Sequence, residues 1–151
     1  MDDRCNSKML YFLKVSRDYY ERLIEDKAKE CGISKQEAYV LLFLSNNTEF
    51  NRACDIVNFM GFSKAYVSKA VTFLVKKGYV EVCNDDADKR YQRIIVLDKA
   101  SDAIKVLKSA QNNFYSCLCK GISREEFNIY LSVVSKAVQN VINNMKGWCY
   151  V

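Results

Sequence analysis

Apolar side chains recur along this chain at two different periods, and the change of period divides it. From Ser7 to about Cys31, Met9, Leu10, Phe12, Leu13, Tyr20, Leu23, Ile24 and Ala28 recur at three- and four-residue steps. That spacing predicts a long amphipathic helix, ended at Gly32. Ser34 followed by Glu37 has capping-box spacing and opens a second helix. Its nearly all-apolar stretch from Ala38 to Leu44 predicts a place in the core, and Asn46-Asn47-Thr48 breaks it. A shorter helix follows from about Asn51 to Met60, with Ala53, Ile56, Val57 and Met60 inward. Gly61-Phe62 makes a tight turn, Ser63 caps the next helix, and that helix runs to about Lys77 before Gly78. Val67, Ala70, Val71, Leu74 and Val75 form its apolar stripe, whereas Lys64, Tyr66, Ser68, Lys69 and Thr72 lie off it.

From Tyr79 the period becomes two. Tyr79–Cys83 and Arg93–Leu97 read as paired strands, joined by the polar run Asn84-Asp85-Asp86-Ala87-Asp88-Lys89-Arg90. Two further helices, about Ser101–Lys120 and Ser123–Lys146, close the chain, the second opening with a capping box from Ser123 to Glu126. The expected fold class is mainly α with a small β-hairpin wing, a winged helix-turn-helix. Residues 34–99 form the winged part, and residues 7–31 and 101–148 are helices expected to dimerise, within a single chain of residues 1–151. The last helix carries Val133, Val134, Ala137, Val138, Val141 and Ile142 on more than one face, more apolar surface than one small domain can cover.

Composition supports this order. Half of the residues are apolar, there is no proline, and glycine occurs five times, a balance that favours long helices. The net charge of +5 is unevenly spread: residues 1–60 carry nine basic and ten acidic side chains, residues 61–99 eight and five, and residues 100–151 six and three. The surplus therefore begins at Gly61, at the second helix of the helix-turn-helix. Seven cysteines, an odd number, are scattered through helical sequence behind a charged start, Met1-Asp2-Asp3-Arg4, with no cleavable apolar stretch. No apolar run reaches the roughly 20 residues of a membrane span. These features predict reduced thiols and a cytoplasmic location, with no membrane partner. No histidine and no Cys-x-x-Cys pair is present, so no metal or other cofactor is expected, and an enzyme would lack its commonest general base.

The chemistry suited to this layout is recognition of duplex DNA. The major groove accepts one helix, whose outward side chains can meet base edges, and a hairpin tip beside it reaches the adjacent minor groove. Ser63, Lys64, Tyr66, Ser68, Lys69 and Thr72 suit the first task, and Lys89 and Arg90 the second. A winged helix used only for protein contact is the alternative, and such modules usually lose the basic side chains kept here at Lys64, Lys69, Lys89 and Arg90.

The run from Ala53 to Glu81, followed by Asp85-Asp86-Ala87-Asp88-Lys89-Arg90 and Ile95-Val96-Leu97, resembles the MarR family of transcriptional regulators. The Ser-Lys opening of the fourth helix, its Lys-Gly end and the Asp88-Lys89-Arg90 pattern carry the likeness. The resemblance implies a repressor that binds a pseudo-palindromic operator as a homodimer, with Arg90 in the minor groove and Asp88 bracing the wing. It also implies that the first and last helices pair with their copies. A small-molecule effector would then sit between dimer helices and winged part, with Tyr11, Tyr39 and Phe43 as lining. The chain departs from the family after the wing, where Val96-Leu97-Asp98-Lys99-Ala100 replaces a Leu-Thr pair followed by glycine. Its Asn-, Lys- and Tyr-rich helices are also similar to those of SarA-type relatives.

Overall fold

Local signals set most of the element boundaries. In the computed structural model, which describes residues 3–84 and 91–144, with side chains from Ser7, the helices are α1 (Asp3–Glu30), α2 (Lys35–Asn46), α3 (Ala53–Met60), α4 (Lys64–Lys77), α5 (Ser101–Leu118) and α6 (Arg124–Asn144). Strands β1 (Val80–Asn84) and β2 (Gln92–Val96) lie between α4 and α5, and a short 3-10 turn, Asp98–Ala100, leads into α5. The chain divides into two compact units, residues 1–114 and 115–151, the boundary falling inside α5.

In the first unit α2 is the central element. Ala38, Val40, Leu41, Leu42, Phe43 and Leu44 are all buried, as the unbroken apolar run requires. Around them pack Ile24 and Ala28 of α1, Ile56 of α3, Val67, Ala70 and Leu74 of α4, and Leu107 and Ala110 of α5. Val80 and Ile94 complete this core from the hairpin. The strands pair antiparallel, Val80 opposite Val96 and Asn84 opposite Gln92. Val80 and Ile94 are buried, but Val82, directly opposite Ile94, is exposed, so at that level β2 and not β1 faces the core.

Two left-handed glycines shape the region from α3 to β1. Gly61 (φ 66°) ends α3 and turns the chain into α4, and Gly78 (φ 70°) ends α4. At the second, the Tyr79 N–H donates to the Leu74 carbonyl at 2.9 Å, the Schellman closure that turns the chain into β1. The Lys77 ammonium also donates to the Gly32 carbonyl at 2.8 Å, tying the end of α4 to the α1–α2 turn.

Several boundaries differ from the sequence expectation. Helix α1 begins at Asp3 rather than Ser7, α3 begins at Ala53 rather than Asn51, and both strands lie within one residue of the expected spans. Ala53, expected inward, is exposed at the first position of α3, where Ile56 alone is buried. Val75, assigned to the buried stripe of α4, is 43% exposed, since Val67, Ala70 and Leu74 already complete the buried face. Cys54 is likewise exposed on α3. Met9, Leu10, Phe12 and Leu13 of α1 are exposed as well, a periodic apolar stripe without a covering surface within the first unit.

In the second unit, α6 opens on a reciprocal capping box. The Ser123 N–H donates to Glu126 Oε2 at 2.8 Å, and the Glu126 N–H donates to Ser123 Oγ at 3.2 Å. Those bonds from Ser123 hold the Glu126 carboxyl below its ordinary pKa. No residue of α6 is buried, and Ile129, Tyr130, Leu131, Val133, Val134, Val138, Val141 and Ile142 are all exposed.

Burial predicts how two neighbours on α4 differ. Leu74→Ala should destabilise the protein by about 2–5 kcal/mol, whereas Val75→Ala should cost less than about 1 kcal/mol, as measured by urea denaturation. Equal losses at the two positions would contradict the packing of α4.

Candidate nucleic-acid interface

Helix α4 begins at a sharp cap. Ser63, in extended conformation, accepts the Tyr66 N–H on its hydroxyl oxygen at 3.2 Å. No acidic residue stands in the first turn of α4, so its positive dipole end is not offset there, and Lys64 adds to it. Lys76 and Lys77 lie in the last turn, where cations complement the carbonyl end. The whole helix is therefore basic, on a frame that α3 and the hairpin hold against α2.

Ser63, Lys64, Ser68, Lys69 and Thr72 are all exposed on α4. Ser63, Lys64, Ser68 and Lys69 form an outward polar face that runs along the first two turns. Thr72 is less available, because its hydroxyl donates to the Ser68 carbonyl at 2.9 Å.

Tyr66 departs from the expectation that it lies free for solvent or a ligand. It is half-buried, and its ring lies on Phe62 with centroids 4.3 Å apart. Burial, and then the negative charge of Glu21, push its phenol pKa up. The spacing along α4 placed Tyr66 off the stripe, but α1 and the α3–α4 turn supply neighbours that the stripe alone does not reveal.

Those neighbours belong to a row of rings across the first unit. Phe114 of α5 meets Tyr20 of α1 edge-on at 5.2 Å, Tyr20 approaches Tyr39 of α2 at 6.4 Å, and Tyr39 approaches Phe62 at 5.9 Å. The Gln111 amide donates to the Tyr20 hydroxyl at 2.9 Å. Beside the row, the Lys35 ammonium pairs with Glu21 at 3.1 Å. Burial above all, and then Glu21, raise the Tyr39 phenol far above its ordinary range, so it is a neutral hydroxyl at physiological pH.

The three residues expected to line an effector site are not equivalent. Tyr39 belongs to this aromatic row. Phe43, one turn further along α2, is buried against Phe59 of α3 at 5.4 Å. Tyr11 is 69% exposed near the start of α1. Asp88, Lys89 and Arg90, the wing-tip residues, lie outside the described residues.

A further cation stands beside the outer end of the hairpin. Arg52, the N-cap residue of α3, places its guanidinium carbon 4.5 Å from the centroid of the Tyr91 ring. Its only sequence signal was a basic residue ahead of a short helix, too common a feature to single out. Among the described residues no group of three or more Cys, Asp or Glu side chains could hold a metal ion, and no helix is long and apolar enough to cross a membrane.

Known proteins share both the sequence of this region and the fold. Residues 32–90 match the model of the MarR family. The HTH-type transcriptional regulator SarT of Staphylococcus aureus is 38% identical over 58 residues, which cover 38% of this chain and 49% of SarT. The chain thus spans about half the length of the curated relatives it matches. A putative MarR-family regulator from Listeria monocytogenes, solved with a 26mer DNA, superposes with a TM-score of 0.75 at 16% identity, covering 89% of each chain. A MarR protein from Peptoclostridium difficile gives 0.77 at 22% identity, covering 95% of this chain and 94% of its own. Residues 32–90 are thus similar in sequence to the MarR family, and the fold around them is the winged helix-turn-helix of these solved regulators.

Proposed function

We propose that the chain is a sequence-specific duplex-DNA-binding transcriptional regulator, acting in the cytoplasm as a homodimeric repressor. The observation that carries this is the start of α4, a capped, acid-free helix end with Lys64, Ser68 and Lys69 exposed on one outward face. Such a helix end attracts phosphate, and its side chains can enter a major groove. The Listeria regulator, of the same fold, was solved with a DNA 26mer, which supports duplex DNA as the partner.

In this reading Lys64 and the Ser63 hydroxyl anchor the backbone, while Ser68 and Lys69 face base edges. Lys89 and Arg90 reach into the neighbouring minor groove, where a planar guanidinium fits a narrow, negative channel better than an ammonium does. Asp88 braces the wing. Tyr66 serves instead to hold α4 in place, through Phe62.

Dimerisation has two sources of surface. The first half of α1 exposes Met9, Leu10, Tyr11, Phe12 and Leu13, and α6 exposes a full set of β-branched residues. Apolar area on that scale is costly in water and is covered when copies associate. A two-fold dimer then selects a pseudo-palindromic operator. A small-molecule effector, if the regulator responds to one, binds at the aromatic row around Tyr39, where it can bias the seat of α4 through Phe62 and Tyr66.

Selection from a random duplex pool tests the whole reading. A palindromic motif is expected, and absence of enrichment would favour a winged helix used for protein contact. On the selected operator, Lys69→Ala and Arg90→Ala should each weaken binding by about 1–3 kcal/mol per half-site. Each should also lower the slope of log affinity against log salt by about one per lost phosphate contact. Wild-type affinity for Arg90→Ala at every salt concentration would remove the wing from the groove.

The dimer is tested on α6. Val138→Glu with Val141→Glu should leave helicity unchanged, since both side chains are exposed in the single chain, and should give a monomer in sedimentation. Affinity for the palindrome should then fall by about 10²-fold or more as avidity is lost. A dimer unaffected by both charges would move the interface elsewhere.

A further inference from the structure

Arg52 and Tyr91 meet where the helix-turn-helix joins the wing, and their placement goes beyond the contacts carried by the family motifs. The backbone on either side of Arg52 is tied down. The Asn51 carbonyl accepts the Ile94 N–H of β2 at 2.7 Å, and the Arg52 N–H donates to Asp55 Oδ2 at 2.9 Å. The segment entering α3 is thereby held to the wing's second strand. Tyr91 lies just beyond the Asn84–Gln92 pair, at the tip side of the hairpin and opposite its buried Val80–Val96 end. The Tyr91 ring is 43% exposed and carries the Arg52 guanidinium at 4.5 Å.

This junction has a defined place on a duplex. A recognition helix in the major groove and a wing in the next minor groove must straddle the sugar-phosphate strand that separates the two. A cation where helix-turn-helix and wing meet therefore faces phosphates rather than bases. A guanidinium is weakly hydrated and planar, so it can lie on an aromatic face while its edge N–H groups point elsewhere. The ring also restricts the rotamers of a long side chain before any ligand arrives, which lowers the entropy lost on binding. Asp55, whose carboxylate receives the Arg52 backbone N–H, fixes the start of α3 from which this side chain extends.

We propose that Arg52 is a further phosphate-contacting residue for duplex DNA and that Tyr91 is the residue that positions it. This rests on the reading of the chain as a duplex-DNA binder.

The test uses the full chain and its selected operator, titrated at several salt concentrations. Arg52→Ala should weaken binding about 5- to 20-fold and reduce the salt slope by about one. Arg52→Gln, which keeps hydrogen bonding without charge, should reduce the slope equally and serves if the alanine variant unfolds. Tyr91→Ala should weaken binding in the same direction, and Tyr91→Phe, which keeps the ring, should remain within about twofold of wild type. The Arg52→Ala, Tyr91→Ala double variant should bind no more weakly than Arg52→Ala alone, because the ring acts through the guanidinium. Wild-type affinity or an unchanged salt slope for the Arg52 variants would overturn the inference while leaving DNA binding intact. Fully additive losses in the double variant would overturn the positioning role of Tyr91. A wild-type chain that enriches no duplex would overturn the functional reading and this inference with it.

Discussion

Burial of α2 on nearly every side is the constraint on which the first unit depends. Five consecutive apolar residues, Val40 to Leu44, cover more than one face of the helix, so no single partner can bury them all. Helices α1, α3, α4 and α5 and the inner face of the hairpin each contribute side chains to the shared core. Each large side chain removed from water contributes about 1.5–3 kcal/mol, so this one segment is a concentrated source of apolar stabilisation for the first unit. The consequence for function is indirect but firm. Because α4 turns Val67, Ala70 and Leu74 toward α2, its polar side chains are turned outward.

The same packing explains why the outward face of α4 is fit for an anionic partner. Ser63 ends the preceding turn and caps the helix, Gly61 gives that turn the left-handed conformation it needs, and the Schellman closure at Gly78 sends the chain straight into β1. Helix α4 and strand β1 are thus successive parts of one path. Cations on such a path are placed without the entropy cost carried by cations on a loose loop. Arg52, at the cap of α3, is held against the Tyr91 ring in the same manner.

The aromatic row has a different significance. Phe114, Tyr20, Tyr39, Phe62 and Tyr66 come from α5, α1, α2, the α3–α4 turn and α4. Any displacement of α1 or α5 against α2 has to be accommodated along this row, which ends on α4. Packed rings resist small deformations, since interiors are close-packed and contact is lost over fractions of an ångström.

Element order, caps and the polar face of α4 were legible in the sequence because each depends on residues close together in the chain. Ser34, Ser63 and Ser123 cap through bonds spanning three residues, and the two-residue period of the hairpin needs only its own alternation. The excess of cations beginning at Gly61 was likewise a matter of composition. Tertiary structure alone decided which apolar positions are buried. Val75 and Ala53 have the right spacing for burial and are exposed, since a buried face needs a partner of finite width and not just a period. It alone drew Tyr66 from the ligand-facing set into the aromatic row and separated Phe43 from Tyr39, because rings from distant segments compete for each side chain. Arg52 and Tyr91, 39 positions apart in the chain, meet only because β2 folds back beside the start of α3, a contact across sequence distance that no local pattern encodes.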